Sequence, residues 1–256
     1  MKYELKEHFC IYLDILGYSN RIEKNISYSE LQSEFKYFIQ YVVTQNNFLT
    51  EISKPLHYKI KIFSDNIFIA LPATEKTIAD FHLILQHIID YQKTLIKANY
   101  FIRGGITKGL LYFDDEVIWG SALIEAVKLE TKDTIYPFIT ISDDIKKLFI
   151  ENELLIDTNE FLSIPIIEII KDRYYLNYLQ TINYDHNFLI THRNLIIRSL
   201  KINNDENVIK KYAMLAKYHN EFCKTYKEKL PPINLLIEDV PIDDVIFKRK
   251  YLKVIV

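Results

Sequence analysis

The stretch Phe9-Cys10-Ile11-Tyr12-Leu13-Asp14-Ile15-Leu16 places an acid at the end of an apolar run that is typical of a buried strand. A second acid, Asp65, interrupts another apolar run within the turn-forming triplet Ser64-Asp65-Asn66. A carboxylate in such a setting is costly unless something compensates its charge. Two of them at strand ends could converge on a divalent cation such as Mg²⁺, which prefers carboxylate oxygens and binds together with substrate phosphates. The pattern therefore predicts chemistry on a nucleotide.

The composition is that of an ordinary globular protein. The 256 residues are 49% hydrophobic and carry a net charge of -2, which suffices for one large domain or for a domain with an appendage. No basic excess favours nucleic acid or an anionic membrane as the main partner. Cys10 and Cys223 suggest neither a disulfide framework nor a CxxC metal site. The polar start and the absence of a run of about 18 apolar residues predict a soluble, cytoplasmic protein.

Apolar spacing divides the first 150 residues into alternating elements. We expect the order β-α-β-β-α-β, followed by α-β, which is an α+β fold with a ferredoxin-like arrangement and additions. The predicted elements are a strand over 8–16, a helix over 29–43 capped by Ser27 or Ser29, a β-hairpin over 57–64 and 66–71, a helix capped by Thr74, a strand over 100–107, a helix over 121–130 and a strand over 137–142.

The last third of the chain has a different pattern. Residues 164–170 and 173–179 predict a hairpin around Lys171-Asp172, and two helices are expected over 187–202 and 205–228. Residues 230–256 contain three prolines and are predicted to be irregular. We therefore expect a first domain over 1–150 and a C-terminal extension over 151–256 that packs onto it.

Four motifs in order give the first domain a resemblance to a known family. They are Asp14-Ile15-Leu16-Gly17-Tyr18-Ser19, Lys61-Ile62-Phe63-Ser64-Asp65, Arg103-Gly104-Gly105-Ile106-Thr107-Lys108-Gly109 and Ile118-Trp119-Gly120. Over about residues 8–145 their order and spacing resemble the catalytic domain of class III nucleotidyl cyclases.

A second set of residues resembles one subgroup of that family. Gly120 to Glu130, Tyr136-Pro137, Lys211-Tyr212 and Tyr218-His219-Asn220 look like the pyrimidine cyclases of the bacterial Pycsar antiphage systems. The resemblance implies that a nucleoside triphosphate, UTP or CTP, is cyclised to a 3′,5′-cyclic monophosphate with release of pyrophosphate. The product would serve as an antiviral second messenger.

The resemblance also implies roles for single residues. Asp14 and Asp65 would hold two Mg²⁺ or Mn²⁺ ions, with the carbonyl of Ile15 as a further ligand. Backbone amides from Leu16 through Gly17 and Tyr18 to Ser19 would receive the β- and γ-phosphates. Arg103 would add a fork of donors to the polyphosphate. The family builds its site between two subunits, which implies a homodimer with composite active sites.

The chain departs from the family at three positions. Where the family carries an asparagine and, four residues on, an arginine that act in the transition state, this chain has Ile124 and Lys128. Lys128 keeps the charge without the planar fork and is our candidate catalytic cation. Val117 replaces a purine-reading residue and offers no hydrogen bond, while Lys61 remains at the other base-reading position. The loss favours a pyrimidine substrate.

Plainer interpretations and other functions stay open. Asp14 could be a turn residue, Asp65 could serve hairpin chemistry alone, Arg103 could be a structural ion-pair partner and Lys61 could be a strand lysine facing solvent. The chain could also be a catalytically weak cyclase homologue that senses a nucleotide, or a purine cyclase. A palm-fold polymerase or dinucleotide cyclase is a further alternative, although the Gly-Gly-Asp/Glu hairpin of those enzymes is absent.

Overall fold

The computed structural model describes residues 4–18, 22, 27–43, 58–74, 77–133, 136–156, 163–169, 173–238, 240 and 247–252. Its strands are β1 (Lys6–Ile15), β2 (Lys59–Phe63), β3 (Asn66–Pro72), β4 (Ile102–Phe113), β5 (Ile118–Trp119), β6 (Ile139–Ile141), β7 (Leu155–Ile156), β8 (Ile164–Glu168), β9 (Tyr174–Leu176) and β10 (Lys248–Leu252). Its α-helices are α1 (Tyr28–Phe38), α2 (Ile78–Lys97), α3 (Ser121–Lys128), α4 (Asp143–Glu151), α5 (His186–Ile202) and α6 (Glu206–Thr225).

The first strands form a ferredoxin-like sheet. In space they are ordered β2-β3-β1-β4, and each neighbouring pair is antiparallel. Together with α1 and α2 they give the βαββαβ order, so the predicted α+β fold class is confirmed. Strand β6 then pairs in parallel with β4. The predicted strand over 100–107 is longer than expected, since β4 runs to Phe113.

Strands from the last third of the chain continue the same sheet. The order proceeds β4-β6-β9-β8-β10-β7, and β8 pairs with β9 as the predicted hairpin, although its turn residues Lys171-Asp172 lie outside the described residues. The prediction that 230–256 is irregular is wrong for Lys248–Leu252, which forms β10 against β8. The domain boundary near residue 150 stays a prediction.

Local signals explain where the helices begin. Ser27 caps α1 in a capping box, accepting from the amide of Glu30 while the Glu30 carboxylate accepts from the amide of Ser27. The helix predicted after Thr74 begins later, at Ile78, and Thr77 stands at its N-cap. None of the helices in the described ranges combines the length and apolarity needed to cross a bilayer.

The two faces of the central sheet are covered differently. Residues Ile11, Leu13 and Ile15 of β1 enter the main core with α2. Cys10 and Tyr12 face the other side, where α3 packs close to the backbone of β4. A Cβ added at Gly105 would lie 2.4 Å from the carbonyl oxygen of Ala126, so only glycine permits this approach. Gly105 thus serves the packing of α3 against β4.

A buried chain of hydrogen bonds joins α5 and α6. The Tyr178 hydroxyl lies 2.7 Å from Nε2 of His192, whose Nδ1 lies 3.0 Å from Nδ1 of His219. Nε2 of His219 lies 2.9 Å from the carbonyl oxygen of Leu235. Because a carbonyl only accepts, His219 donates from Nε2, His192 donates from Nδ1 and Tyr178 donates to His192. This assignment satisfies the chain with both imidazoles neutral.

We expect the protein to lose stability as the pH falls below 7. Burial lowers the pKa of His219 to about 4 and holds the pKa of His192 well below its ordinary value of 6.5. The unfolded chain takes up protons near pH 6.5 while the folded chain does not, so stability falls between about pH 6.5 and pH 4. His219 alone should contribute a loss of about 2 kcal/mol between pH 7 and pH 5.

Urea unfolding at pH 7 and pH 5 measures this loss. His219→Gln keeps a hydrogen-bonding side chain but does not titrate, so its stability should change less with pH than that of the unaltered protein. Equal pH dependence in the two proteins would remove His219 from the explanation.

Candidate active site

The two predicted acids meet at one end of the sheet. Asp14 pairs across the ladder with Asn66, the residue that follows Asp65. The two-residue turn of Ser64 and Asp65 joins β2 to β3, and Ser64 adopts a positive φ of 53°. The amide of Ile15 donates to the carbonyl oxygen of Asp65 at 3.2 Å, which ties the hairpin tip to the end of β1. The structure thus brings Asp14 and Asp65 together.

Arg103 lies directly across from Asp14 on the other neighbouring strand. Its Nε donates to Oδ2 of Asp14 at 2.9 Å and also lies 2.6 Å from Oε1 of Glu130. Glu130 follows α3 and its side chain is 3% exposed. Oε1 of Glu130 has no well-aligned hydrogen bond in the described part of the chain, so its contact with Arg103 is mainly electrostatic. One guanidinium therefore balances the buried carboxylate of Glu130 and the partly buried carboxylate of Asp14.

Burial sets the electrostatics of the cluster formed by Asp14, Asp65, Arg103 and Glu130. Loss of solvation raises the pKa of both Asp14 and Glu130 above their ordinary values, and the charge of Arg103 opposes both shifts. Asp65 raises the pKa of Asp14 further, because the two carboxylates repel one another. Carboxylates whose ionised forms are under-compensated attract additional positive charge.

The turn after β1 carries the residues expected to hold phosphates. Gly17 has a φ of 75°, a conformation that glycine adopts without strain, and a Cβ added there would meet open space. The amide of Leu16 is not available to a ligand, because it donates to the carbonyl of Phe101 at 2.8 Å. The Tyr18 side chain packs in the core against Phe38. Ser19 lies outside the described residues.

A cavity of about 260 Å³ opens beside this turn. One wall comes from the turn and from β4, and includes Gly17 and Arg103. The opposite wall comes from α5 and α6, and includes Ser199, Asn203 and Lys211. Lys211 and Arg103 line this cavity together. Burial, and after it the charge of Arg103, lowers the pKa of Lys211.

The predicted base-reading residues meet at a different place. Nζ of Lys61 donates to the carbonyl of Asp115 at 2.6 Å, within the turn that leads to Val117. Lys61 also lies over the ring of Phe113. Lys61 therefore contacts its own chain. This differs from the alternative interpretation of Lys61 as a strand lysine that faces solvent. Val117 is exposed beside it.

The remaining predicted residues lie on the surface. The Lys128 side chain is 52% exposed and lies 3.9 Å from Glu125 of its own helix. No hydrogen bond or ion pair joins Lys128 to Asp14 or Arg103 within the described residues. Ile124, at the position where the family has asparagine, is exposed on the same helix. A catalytic role for Lys128 stays a prediction.

Two residues at the site, Glu130 and Lys211, are not among the predicted site residues. In the sequence they belong only to the longer patterns that resemble the pyrimidine cyclases. A signal existed for Glu130, since an acid that continues the apolar face of a short helix requires a buried partner. Lys211 sits next to the buried Tyr212 on α6, but nothing local indicates that it faces residue 103.

Comparisons with known proteins give distant structural likenesses. No protein-family model and no curated protein matches the chain. The adenylyl cyclase CyaB from P. aeruginosa is 15% identical, with 69% of this chain and 96% of that chain covered and a TM-score of 0.47. The guanylyl cyclase domain of the RhoGC fusion protein from Blastocladiella emersonii is 14% identical, with 67% and 94% covered and a TM-score of 0.45. The guanylate cyclase domain of RhGC from Catenaria anguillulae, in complex with GTP, is 16% identical, with 67% and 96% covered and a TM-score of 0.44.

These values describe a distant likeness of chain path. The chemistry of the site depends on the side chains of this chain itself.

We expect Arg103→Met to destabilise the protein by about 3 kcal/mol at pH 7, since it leaves the buried Glu130 and the partly buried Asp14 without their cation. Adding Glu130→Gln removes one of those charges and should recover part of the loss. Urea unfolding of both variants measures the effect. Arg198→Met, an exposed arginine of α5, is the matched control and should change stability by less than about 0.5 kcal/mol. Equal effects of Arg103→Met and Arg198→Met would show that the ion pair does not stabilise the fold.

Proposed function

We propose that this chain is a metal-dependent nucleotide cyclase that forms a 3′,5′-cyclic monophosphate from a nucleoside triphosphate. The observation that carries the proposal is the meeting of Asp14 and Asp65 at one sheet end, with Arg103 paired to Asp14. Two carboxylates for cations and one arginine for phosphates are what in-line attack on an α-phosphate requires of a protein. The motif order described above supports the same assignment.

The residues at the sheet end fit a divalent cation delivered with its nucleotide. The described residues contain no group of three or more acidic, histidine or cysteine side chains suited to a metal. Mg²⁺, however, commonly binds through one or two carboxylates together with substrate phosphates. Asp14 and Asp65 supply two carboxylates, and the described residues give Oδ1 of Asp14 no hydrogen bond. The repulsion between the two acids favours a cation between them.

Separate groups of the chain would bind the metal and the phosphates. Asp14 and Asp65 would hold Mg²⁺ or Mn²⁺, with the Ile15 carbonyl as a further ligand. A divalent cation bound there lowers the pKa of the ribose 3′-hydroxyl and neutralises phosphate charge. Arg103 has a guanidinium fixed through Nε, so its terminal nitrogens can donate to the polyphosphate. The turn at Gly17 would bring backbone amides to the same phosphates.

The base would be read by Lys61 and by the turn that contains Val117. Nζ of Lys61 lies at that turn already, bonded to the Asp115 carbonyl, so a base could compete for its protons. Val117 offers an apolar contact in place of a hydrogen bond to a purine edge, which favours UTP or CTP. A cyclic pyrimidine nucleotide acting as an antiviral second messenger is the role that we propose for the product.

A nucleotide-binding sensor of low activity is the second candidate. The observation that favours it is on α3, where Ile124 and Lys128 are exposed and Lys128 is paired with Glu125. Lys128 makes no hydrogen bond or ion pair with Asp14, Arg103 or Glu130 within the described part of the chain. Binding without turnover would follow if no other residue stabilises the transition state.

Incubation with all four ribonucleotides and Mn²⁺, followed by chromatography, tests the proposal. We expect cyclic UMP or cyclic CMP at rates at least about tenfold above the cyclic purine nucleotides, which corresponds to a difference of about 1.4 kcal/mol. Asp65→Asn should lower the rate by orders of magnitude and leave the unfolding transition nearly unchanged. Asp80→Asn, on α2, is the control and should retain full activity.

A dominant cyclic AMP or cyclic GMP product would refute the pyrimidine assignment alone. No cyclic product from any nucleotide, with binding retained, would favour the sensor. Full turnover by Asp65→Asn would remove Asp65 from the metal site.

A homodimer is proposed because one chain exposes apolar residues near its base-reading turn. Val117, Trp119 and Ile124 are exposed, with Trp119 at 64%. Large exposed apolar groups that lie close together are typical of interaction surfaces. A partner covering them would bring a second chain next to Lys61 and Lys128.

Light scattering should give the mass of two chains, and the specific activity should fall on dilution below the dissociation constant. Trp119→Glu should yield monomers of low activity. Ile150→Glu, at another exposed apolar position, on α4, should remain dimeric. A monomer whose specific activity does not depend on concentration would contradict the composite site.

A further inference from the structure

The cavity beside Gly17 is built by two distant parts of the chain. Leu16, Gly17 and Arg103 come from the ferredoxin-like part, while Asn203 and Lys211 come from the helices after residue 185. Its volume of about 260 Å³ lies below the range of roughly 300–1,000 Å³ for sites that enclose a whole drug-sized ligand. A ligand group smaller than a complete nucleotide would fill it.

Arg103 and Lys211 both line this cavity, and both have donors without a partner among the described residues. Nε of Arg103 is taken by Asp14, but its terminal nitrogens make no hydrogen bond with the described residues. Lys211, half-buried on α6, has neither a hydrogen bond nor an ion pair closer than 4 Å with any described residue. Arginine and lysine donate and never accept, so a ligand that satisfies them both must carry acceptors.

Charge favours an anion over a neutral acceptor. Burial and the neighbouring charge of Arg103 lower the pKa of Lys211, while the charges of Glu130, Asp14 and Asp205 oppose that shift without cancelling it, so the ammonium form stays under-compensated. An anion placed between the two cations would relieve their repulsion and replace their lost hydration. The apolar wall of Phe101, Leu195 and Tyr212 strengthens such an interaction by excluding water.

We propose that Lys211 binds the terminal phosphates of the substrate together with Arg103, so that the C-terminal extension completes the site. This inference rests on the proposed function and extends it to α6. The cavity adjoins the Gly17 turn, and Arg103 links it directly to Asp14. A chain of phosphate groups that starts at Asp14 and Asp65 would therefore enter it. The lysine that serves the polyphosphate is then Lys211, on a helix of the C-terminal extension.

Binding of inorganic tripolyphosphate tests the proposal without any turnover. Calorimetry in metal-free buffer of low ionic strength should show binding by the unaltered protein and at least tenfold weaker binding by Lys211→Gln. Lys211→Arg keeps the charge and should bind within about threefold of the unaltered protein. Lys210→Gln, the exposed neighbour on the same helix, is the control and should bind within twofold.

The outcomes separate this inference from the proposed function. No tripolyphosphate binding by the unaltered protein, or equal binding by Lys211→Gln, would overturn the role of Lys211. Lys211-dependent binding in a protein that forms no cyclic nucleotide would support the subsite while the cyclase proposal fails. Cyclisation by Lys211→Gln with an unchanged KM would overturn the subsite while the cyclase proposal stands.

Discussion

One guanidinium shared by a buried and a partly buried carboxylate is the constraint on which this structure depends. Nε of Arg103 lies 2.9 Å from Oδ2 of Asp14 and 2.6 Å from Oε1 of Glu130. Burial raises the pKa of both acids and the charge of Arg103 opposes that shift, because an uncompensated buried charge costs several kcal/mol. The contacts join the end of β1, the start of β4 and the segment after α3. The same charges that fix these elements to one another also prepare the end of the sheet for phosphates and cations.

The C-terminal third of the chain is part of this arrangement. Its strands continue the central sheet through the pairing of β6 with β9, and α6 brings Lys211 within reach of the Arg103 charge. A buried chain of hydrogen bonds through His192 and His219 holds α5 against α6 and so keeps the cavity wall in place. Stability and site geometry are therefore coupled, since acid conditions that protonate the histidines would loosen the wall that carries Lys211.

Much of the fold could be predicted from the sequence, because local patterns of apolar and turn-forming residues determine its elements. The apolar run ending at Asp14, the Ser64-Asp65 turn and the spacing of α2 and α6 each depend on neighbouring residues, and each was found. The convergence of Asp14 and Asp65 followed from their places at strand ends. Contacts between residues far apart in the sequence were not predicted. Lys211 faces a residue 108 positions earlier, and the pairing of Lys248–Leu252 with β8 gives a strand to a segment that has no strong strand pattern of its own.

Single side-chain directions also escaped prediction. Tyr18 shares a motif with Gly17, yet its ring turns into the core against Phe38, while Gly17 stays at the surface.

The central claim is that Asp14 and Asp65 share a divalent cation with a nucleotide. Crystals grown with Mn²⁺ and a non-hydrolysable UTP analogue test it through the anomalous signal of manganese. We predict a manganese peak within about 2.5 Å of carboxylate oxygens from both residues, with the analogue's terminal phosphates beside Arg103. A nucleotide bound elsewhere, with the Asp14–Arg103 pair unchanged and no manganese at the sheet end, would contradict the claim.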